Sequence, residues 1–575
     1  MRFWKSWRYP AHWPVPRLDD RLLLILAGAV VGTSSGLAAV ALNRSLLWML
    51  NSLLAYRHFW WSFLMPAAGA ALSSLFLEKI VKEGAGHGVP EVIYSVSRRG
   101  GLLRFRSSYS RLVSSFLTIG SGGSAGPEAP VVMSGAAIGS SIARLFRLNE
   151  RQRITLVGCG AAGAISSIFN APIAGLVFTV EVVLGEWTAL NIVPIAIASV
   201  AGAQISRILQ GNQIAFAHRQ FPVDLLDSLA TVGLAAFTAA ASILLTWALR
   251  RSHGVSTRLP LPLWLRAACG GAVVGLIGFF FPVVIGEGYH WIREMIEGAF
   301  VSGFGLALLF VLAKITATAF TLGWGGSGGI FAPCLVIGSL VGLTYHRLLQ
   351  ILWPAADWIN EGCFALLGMA GLISGMLQAP LTGIFLITEI TGGYGVILPL
   401  IIVSTLSTTI CHYLEPASFY LKELVERGQL LRPGTDGRVL TDLSVAELLE
   451  KDCIAVAPDM LLGDFIEILQ KSRRNYFPVE DPATGTFLGM VHLDDIRPYL
   501  FNAGLYHAVL LGQIMKTGIE TVHPDDDLPE ILERMDANRL YSMPVVANER
   551  FLGMISKATL LDRYRKELKV QTTLQ

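Results

Sequence analysis

The strongest constraint on this chain is a series of long apolar segments that runs from about Leu22 to Tyr413. Over all 575 residues only 15% are charged, whereas a soluble globular domain has about 25%. From Arg432 onward the composition is that of an ordinary soluble protein. A helix needs roughly 20 consecutive apolar residues to cross a bilayer. The sequence therefore predicts a large multi-pass membrane domain followed by a cytosolic domain.

Two clusters of basic residues give an expected orientation in the membrane. The first eighteen residues contain Arg2, Lys5, Arg8 and Arg17 and no acid, and residues 98–111 contain five arginines. Membrane proteins keep such clusters mainly on the cytoplasmic side. We therefore expect both clusters, and both chain termini, to be cytoplasmic.

The apolar region contains an internal duplication. The segment GSGGSAGPEAP at 120–130 returns as GWGGSGGIFAP at 323–333, an offset of 203 residues. Further along, GAISSIFNAPIAGLVFTVE at 163–181 returns as GLISGMLQAPLTGIFLITE at 371–389, an offset of 208. Two matched blocks in the same order indicate a duplicated membrane unit. Duplicated halves with interrupted apolar segments are typical of transporters and channels with inverted repeats.

The first matched block is a glycine-rich interruption that leads, in both copies, into Pro and a new apolar run. Irregular backbone at membrane depth is tolerated only where it lines a cavity or is buried in protein. Helices that begin there present unpaired N–H groups and a positive dipole end, a combination that binds anions. A third break, GAGHGVPEV at 84–92, has similar chemistry. The three breaks predict one anion pathway, and close helix packing is the alternative explanation for their glycines.

An acid, Glu128, stands inside the first break, where the second repeat has Phe331. An ionised carboxylate at membrane depth costs about 2.5–3.5 kcal/mol or more. At a cluster of helix starts that cost is partly offset, because the carboxylate can occupy the anion site itself. A permeant anion can displace it and a proton can neutralise it, so Glu128 is predicted to be a gate. The alternative is a buried ion-pair partner.

These motifs resemble the CLC family of chloride channels and chloride/proton exchangers. GHGVPE, GPEAP, GGIFAP and PASFY stand in the family's order and at its spacing, over roughly residues 20–430. The resemblance implies a homodimer in the lipid bilayer, one pore per subunit, with chloride bound by backbone N–H groups and hydroxyls. It implies Glu128 as the gate. The anion-binding positions are then His87, Gly88, Gly126, Ile330, Phe331 and Tyr420, and runs 190–206 and 396–413 are the interface helices.

His87 departs from the family pattern, which usually has a small residue, most often Ser, at this position. Neutral imidazole can donate one hydrogen bond to an anion, and imidazolium adds a charge that gives pH dependence near neutrality. The alternative is that the ring turns away and the backbone alone binds. The preferred anion is therefore open.

Val182 is a second departure, because exchangers of the family typically have two consecutive acids where this chain reads Glu181-Val182. Proton-coupled exchange needs a titratable relay between Glu128 and the cytoplasm, and valine cannot carry a proton. The sequence therefore favours a gated chloride channel with passive conduction, and the alternative is an H⁺/Cl⁻ exchanger. Glu181 and its counterpart Glu389 are interpreted as structural acids that hold helix ends or loop amides.

The soluble tail contains a second duplication. FPVEDPATGTFLGMVHLDDI at 477–496 parallels MPVVANERFLGMISKATLL at 543–561. This resembles a tandem CBS pair, which often binds adenine nucleotides and would modulate the pore. Such modules favour an Asp after the last strand, and Asp495 fits, whereas the second copy has Thr559. At most one nucleotide site is predicted, and a pure dimerisation or scaffold role is the alternative.

The predicted fold class is an all-α polytopic membrane protein with inverted repeats and broken half-membrane helices, followed by a cytosolic α/β tandem CBS pair. The expected parts are a tail at 1–19, a pore domain at 20–430 with repeats near 20–210 and 225–430, and CBS repeats near 443–501 and 508–566.

Several other classes are not favoured. No nucleophile–base–acid set or metal-ligand spacing stands out, so an enzyme or a metal site is not expected. The six cysteines lack CxxC spacing and are interpreted as core residues. No required cofactor and no nucleic-acid partner are expected. A cation transporter is disfavoured because no paired carboxylates mark the breaks, and a membrane-bound sensor with vestigial transport stays open.

Overall fold

The computed structural model describes residues 20–54, 59–83, 88–211, 225–356, 358–392, 394–426, 443–472, 474–538 and 540–563. The chain separates into two compact units, residues 1–430 and residues 431–575. Each unit is described by itself below.

The described part of the first unit is built from seventeen α-helices. Their bounds are α1 Asp20–Leu54, α2 Met65–Leu75, α3 Val89–Arg98, α4 Ser107–Gly120, α5 Glu128–Leu145, α6 Glu150–Phe169, α7 Pro172–Phe178, α8 Ala189–Gln210, α9 Leu225–Arg258, α10 Leu263–Phe280, α11 Tyr289–Glu297, α12 Phe304–Gly323, α13 Phe331–Leu352, α14 Glu361–Leu377, α15 Pro380–Thr391, α16 Ile397–Leu414 and α17 Phe419–Glu426. Helices α2 and α7 each continue into a π-helical turn, at Phe76–Val81 and Thr179–Leu184.

Eight helical segments of the described residues are long and apolar enough to cross a membrane, and three shorter apolar helices accompany them. Large apolar side chains such as Trp48, Trp247 and Leu398 are exposed on this unit. An apolar outer surface is unfavourable in water but matches a lipid environment. The first unit is therefore an integral, multi-pass membrane protein.

The two repeats fold alike around matched helix pairs. Helices α5 and α6 of the first repeat correspond to α13 and α14 of the second, and both pairs meet through glycines. A Cβ atom on Gly135 would lie 2.2 Å from the Gly160 carbonyl oxygen, and one on Gly338 would lie 2.5 Å from the Gly368 carbonyl oxygen. These glycines lie outside the three breaks, and they allow the helices of each pair to pack closely.

The described part of the second unit contains two antiparallel hairpins and three α-helices. Their bounds are α18 Leu462–Lys471, β1 Tyr476–Glu480, β2 Phe487–His492, α19 Leu493–Ile496, α20 Leu528–Ala537, β3 Ser542–Ala547 and β4 Arg550–Ser556. Strand β1 pairs with β2 and β3 with β4, and each pair has a bulge at the matching place. Each hairpin packs on its own apolar core, so the unit consists of two similar repeats in tandem.

Candidate functional site

The two glycine-rich breaks meet and bond to each other. Gly126 N–H donates to the Gly329 carbonyl oxygen at 2.8 Å, and Gly329 N–H donates to the Gly126 carbonyl oxygen at 2.7 Å. Each break begins with a glycine in the left-handed region, Gly122 with φ 105° and Gly325 with φ 107°, a conformation that disfavours other residues. The duplicated sequence therefore produces one shared structure between the repeats.

Hydroxyl groups extend this pairing across the repeats. Ser124 N–H donates to Thr321 Oγ1 at 3.0 Å, and Ser327 N–H donates to Thr118 Oγ1 at 3.1 Å. All four residues are buried. A backbone N–H group of each break is thus hydrogen-bonded to a hydroxyl of the other repeat. Buried backbone groups need such partners.

Two helices begin directly after the breaks, α5 at Glu128 and α13 at Phe331. Neither start has a side-chain cap; the N-cap positions are Pro127 and Ile330. The first amides of a helix have no partner within that helix, and they carry the positive end of its dipole. The structure therefore brings two uncapped helix starts together in the interior, which is suited to holding a negative charge.

The Glu128 carboxylate lies at this meeting point and is 1% exposed. Its Oε1 accepts a hydrogen bond from the Tyr289 hydroxyl at 2.5 Å. Its Oε2 is buried close to the backbone N–H of Ala332, in the first turn of α13, and has no hydrogen-bond partner among the described residues. A Cβ atom on Gly126 would lie 2.0 Å from Oε2. Among the described residues, the side chain bonded to Glu128 is the phenol of Tyr289.

Three further predicted residues surround this carboxylate. Ile330 and Phe331 are buried at the start of α13, and the Phe331 ring packs on Phe169 with centroids 5.4 Å apart. Tyr420, in the first turn of α17, is 2% exposed and interacts electrostatically with Glu128. The structure thus places Glu128, Ile330, Phe331 and Tyr420 in one region.

The third break also reaches this region. Gly88 precedes α3 with φ 83°, and a Cβ atom on it would lie 2.8 Å from the Ala129 carbonyl oxygen in the first turn of α5. His87 lies outside the described residues, so its predicted contact with an anion stays a prediction.

The two structural acids cap helices of the opposite repeat. The Glu181 carboxylate accepts from Leu381 N–H at 3.1 Å, from Thr382 N–H at 2.7 Å and from Thr382 Oγ1 at 2.6 Å, all at the start of α15. The geometry agrees with the structural role expected for Glu181. Val182 next to it is partly buried against the apolar core.

Glu389 makes the reciprocal contacts in the first repeat. Its carboxylate accepts from Ile173 N–H at 3.0 Å and from Ala174 N–H at 2.8 Å, at the start of α7. Charge-assisted bonds of this kind are stronger than neutral ones. The two acids therefore join the halves of the membrane unit symmetrically.

The sequence analysis missed three residues that lie near Glu128, namely Glu287, Tyr289 and Lys314. Lys314 is fully buried in α12 and donates from Nζ to the carbonyl oxygens of Val284 and Gly286, each at 3.0 Å. Its signal is visible in the sequence, because it is the single charge in the apolar run LALLFVLAKITATAF. Intramembrane charges usually mark functional sites.

In the second unit, Asp495 lies in α19 directly after β2. Its Oδ1 pairs with Lys516 Nζ at 2.8 Å, and its Oδ2 is buried with no partner among the described residues. A buried acceptor without a partner can receive a hydrogen bond from a ligand hydroxyl. The predicted contact between Asp495 and a ribose stays a prediction.

Thr559 is already engaged within the protein. Its hydroxyl donates to Glu450 Oε1, which also accepts from Ser556 Oγ at 2.5 Å. Glu450 Oε2 accepts from Arg474 at 2.6 Å and from Tyr476 at 2.9 Å. Burial by itself raises the pKa of Glu450, but these hydrogen bonds and the Arg474 charge outweigh it and hold the pKa below its ordinary value. The Thr559 hydroxyl is therefore already bonded to a carboxylate of the chain.

Paired helix breaks from two repeats, enclosed in an apolar helical body, are typical of membrane transport proteins. The sequence profile described as voltage gated chloride channel matches residues 69–412, and the CBS domain profile matches 445–502 and 511–566. The chain belongs to this chloride channel (CLC) family and carries two CBS domains.

Curated relatives cover most of the membrane unit. A ClcB-like protein of Ralstonia nicotianae, named as a candidate chloride channel protein, is 32% identical over 70% of this chain and 96% of its own length. The H(+)/Cl(-) exchange transporter ClcA of Klebsiella pneumoniae is 28% identical over 71% of this chain and 89% of its own. The ClcA exchanger of Vibrio cholerae is 29% identical over 67% and 83%.

Solved structures show the same fold. A slow cyanobacterial Cl-/H+ antiporter has a TM-score of 0.64 at 24% identity, over 72% of this chain and 99% of its own. A eukaryotic CLC transporter has a TM-score of 0.62 at 18% identity, over 94% of this chain and 98% of its own. The predicted family and fold class are both confirmed. Within the described residues no cluster of metal-ligating side chains occurs.

Proposed function

We propose that this protein is a proton-coupled chloride exchanger in which Glu128 is both the gate and the proton carrier. The observation that carries the proposal is the Glu128 carboxylate at the meeting of two uncapped helix starts, beside the Ala332 amide. A negative group held by helix-start amides occupies the place that a chloride ion would take. The names of the ClcA relatives favour exchange over the passive conduction that the sequence favoured.

The proposed cycle follows from charge. When Glu128 is ionised, its carboxylate competes with chloride for the amides at the starts of α5 and α13. When Glu128 takes a proton, that attraction disappears and chloride can enter. Backbone amides near Ile330 and Phe331 and the Tyr420 hydroxyl would hold the ion, with Gly88 and Gly126 allowing close backbone approach. Neither His87 nor a resident cofactor is needed for this step.

A gated channel remains a second candidate, and Val182 is the observation that favours it. The residue after Glu181 cannot carry a proton, and Glu181 itself is engaged with the start of α15. Without a relay, protons reach Glu128 from one side only and gate the pore without being exchanged.

The two candidates are separated by proton uptake in liposomes. Purified protein is reconstituted with a chloride gradient, the membrane voltage is clamped with valinomycin and potassium, and the external pH is followed. An exchanger moves protons against their gradient while chloride runs down, and the Glu128→Gln variant stops proton movement but still passes chloride. Proton movement that is absent from the wild type, with chloride flux present, would favour the channel. Glu297→Gln, at an exposed position on α11, is the matched control.

The remaining features of the proposal concern assembly and regulation. The protein is proposed to be a homodimer with cytoplasmic termini, and helices α8 and α16 offer exposed apolar residues such as Val193, Ile197 and Leu398 for the interface. The CBS pair is proposed to modulate transport, with one adenine nucleotide bound near Asp495.

A further inference from the structure

A second buried carboxylate, Glu287, lies near the gate. It stands in the loop between α10 and α11, is 9% exposed, and its Oε1 has no hydrogen-bond partner among the described residues. Gly286 N–H donates to the Gly122 carbonyl oxygen at 3.3 Å, which ties this loop to the first glycine-rich break. A buried carboxylate oxygen without a hydrogen bond is costly to keep ionised, so its presence here calls for a function.

Glu287 is linked to Glu128 and to Lys314. Tyr289, two residues further along, donates its hydroxyl to Glu128 Oε1 at 2.5 Å. The carboxylates of Glu287 and Glu128 also interact electrostatically, and so do Glu287 and the Lys314 ammonium. Lys314 donates to the Gly286 carbonyl oxygen, which holds its charge next to Glu287.

Among the described residues, the other titratable groups near the two acids are neutral. Tyr289, Cys334 and Tyr420 lie near Glu128, on α11, α13 and α17. Phenols and thiols titrate at about 10 and 8.5 in water, so these side chains are uncharged near neutral pH. In the described part of the chain, the charges of the cluster are therefore those of Glu128, Glu287 and Lys314.

Charge balance then fixes the number of protons. Two ionised carboxylates and one ammonium would leave one uncompensated negative charge in the interior, whereas one added proton makes the cluster neutral. Carboxyl pairs that interact in this way titrate as a unit. We propose that Glu287 is a second proton-binding group of the transport pathway, and that Glu128 and Glu287 share a single proton balanced by Lys314. This rests on the proposed role of Glu128 as the gate.

The proton's position sets the state of the gate. With the proton on Glu287, Glu128 is an anion and occupies the helix-start site. When the Glu287 O–H bond breaks and an O–H bond forms on Glu128, Glu128 becomes neutral, the ionised Glu287 pairs with Lys314, and chloride can replace the gate. The proton enters from water and returns to water, so no other reactant is needed. Glu287 thus stores the proton while the gate is closed.

The first test is the pH dependence of chloride efflux from liposomes. In Glu287→Gln, Lys314 is left with Glu128 alone, which favours the ionised gate. We expect the pH midpoint of efflux to move about one unit lower, a tenfold higher proton concentration. Lys314→Met should move it in the opposite direction, and the double variant should return towards the wild type. The control Glu297→Gln should not move it. An unchanged midpoint in folded Glu287→Gln overturns the proposal.

A second measurement does not require the Glu287 variant to fold. Infrared difference spectra of wild type and Glu128→Gln at neutral pH report protonated carboxyl groups. The wild type should show one buried protonated carboxyl that Glu128→Gln lacks, because Glu287 alone with Lys314 stays ionised. No such difference would contradict proton sharing. The two tests measure chloride flux and carboxyl protonation, and neither measures proton exchange. If the wild type exchanged no protons, the proposed function would be wrong, but that result would not decide whether Glu128 and Glu287 share a proton.

Discussion

Glu450 in the CBS unit offers a direct test of how a buried carboxylate joins two repeats. It lies near the start of the first repeat, yet it bonds to Ser556 and Thr559 near the end of the second. Its other oxygen accepts from Arg474 and Tyr476 in the first repeat. The change proposed is Glu450→Gln, which keeps size and shape but removes the negative charge.

The expected loss of stability in Glu450→Gln follows from the hydrogen bonds that the Glu450 carboxylate makes. A hydrogen bond to a charged group contributes about 1.5–3 kcal/mol, against about 0.5–1.5 kcal/mol for a neutral one. The glutamine amide can still bond to the hydroxyls, and Arg474 keeps Asp452, with contacts of 2.5 and 3.0 Å. The net loss of local stability is therefore about 2 kcal/mol, roughly a 30-fold rise in the opening equilibrium.

Hydrogen exchange of the full-length protein in detergent measures this opening. The amides of Glu450 and Met554 bond reciprocally, at 2.8 and 3.0 Å between N and O, and we expect both to exchange about 30-fold faster. Glu447→Gln, at an exposed neighbouring position, is the control. A change of less than threefold at both amides would refute the assigned role of the carboxylate.

The pH dependence of the same experiment has a defined sign. The pKa of Glu450 is lowered in the folded state, so its stabilisation is complete above the pKa of the unfolded state and is lost as the pH falls through the folded value. The difference between wild type and Glu450→Gln should therefore disappear in acid. A difference that persists there would mean that the carboxylate charge is not its source.

Three further outcomes are expected. Val182→Glu should raise the protons moved per chloride in the liposome assay, because it adds a titratable group beside Glu181. Glu181→Gln and Glu389→Gln should each destabilise the protein by about 1–3 kcal/mol, seen as lower and similar melting temperatures in detergent; very unequal values would contradict their symmetric roles. Asp495→Asn should abolish binding of ATP or AMP in calorimetry, whereas Thr559→Ala should not, and equal loss in both would argue against a single site.

The sequence was sufficient to predict features that depend on local pattern. The duplicated blocks predicted the paired breaks, because glycine-rich interruptions followed by Pro specify helix starts that α5 and α13 then display. Both repeated blocks end in an acid, Glu181 in the first and Glu389 in the second. Because the two positions correspond, the sequence predicted the same structural task for both. These inferences needed no knowledge of contacts.

Other features depended on which distant segments meet. Nothing in the spacing of Glu128 and Tyr289, 161 residues apart, indicates that they share a hydrogen bond. Glu287 stands between two glycines in the sequence, and only its burial identifies it as part of the site. Thr559 was judged by its place in the second repeat, whereas its actual partner, Glu450, lies 109 residues earlier, in the first repeat.

Each half of the membrane unit supplies a carboxylate that caps a helix of the other half, and this has a consequence for biosynthesis. While the ribosome is still making the second repeat, Glu389 is not yet present to bond to the amides at the start of α7. The helix start of α15, to which the Glu181 carboxylate bonds, is also not yet present. The first repeat therefore enters the membrane before its own helix ends can be satisfied. Neither half should mature alone, and a chain cut between α8 and α9 should recover transport only when both fragments are produced together.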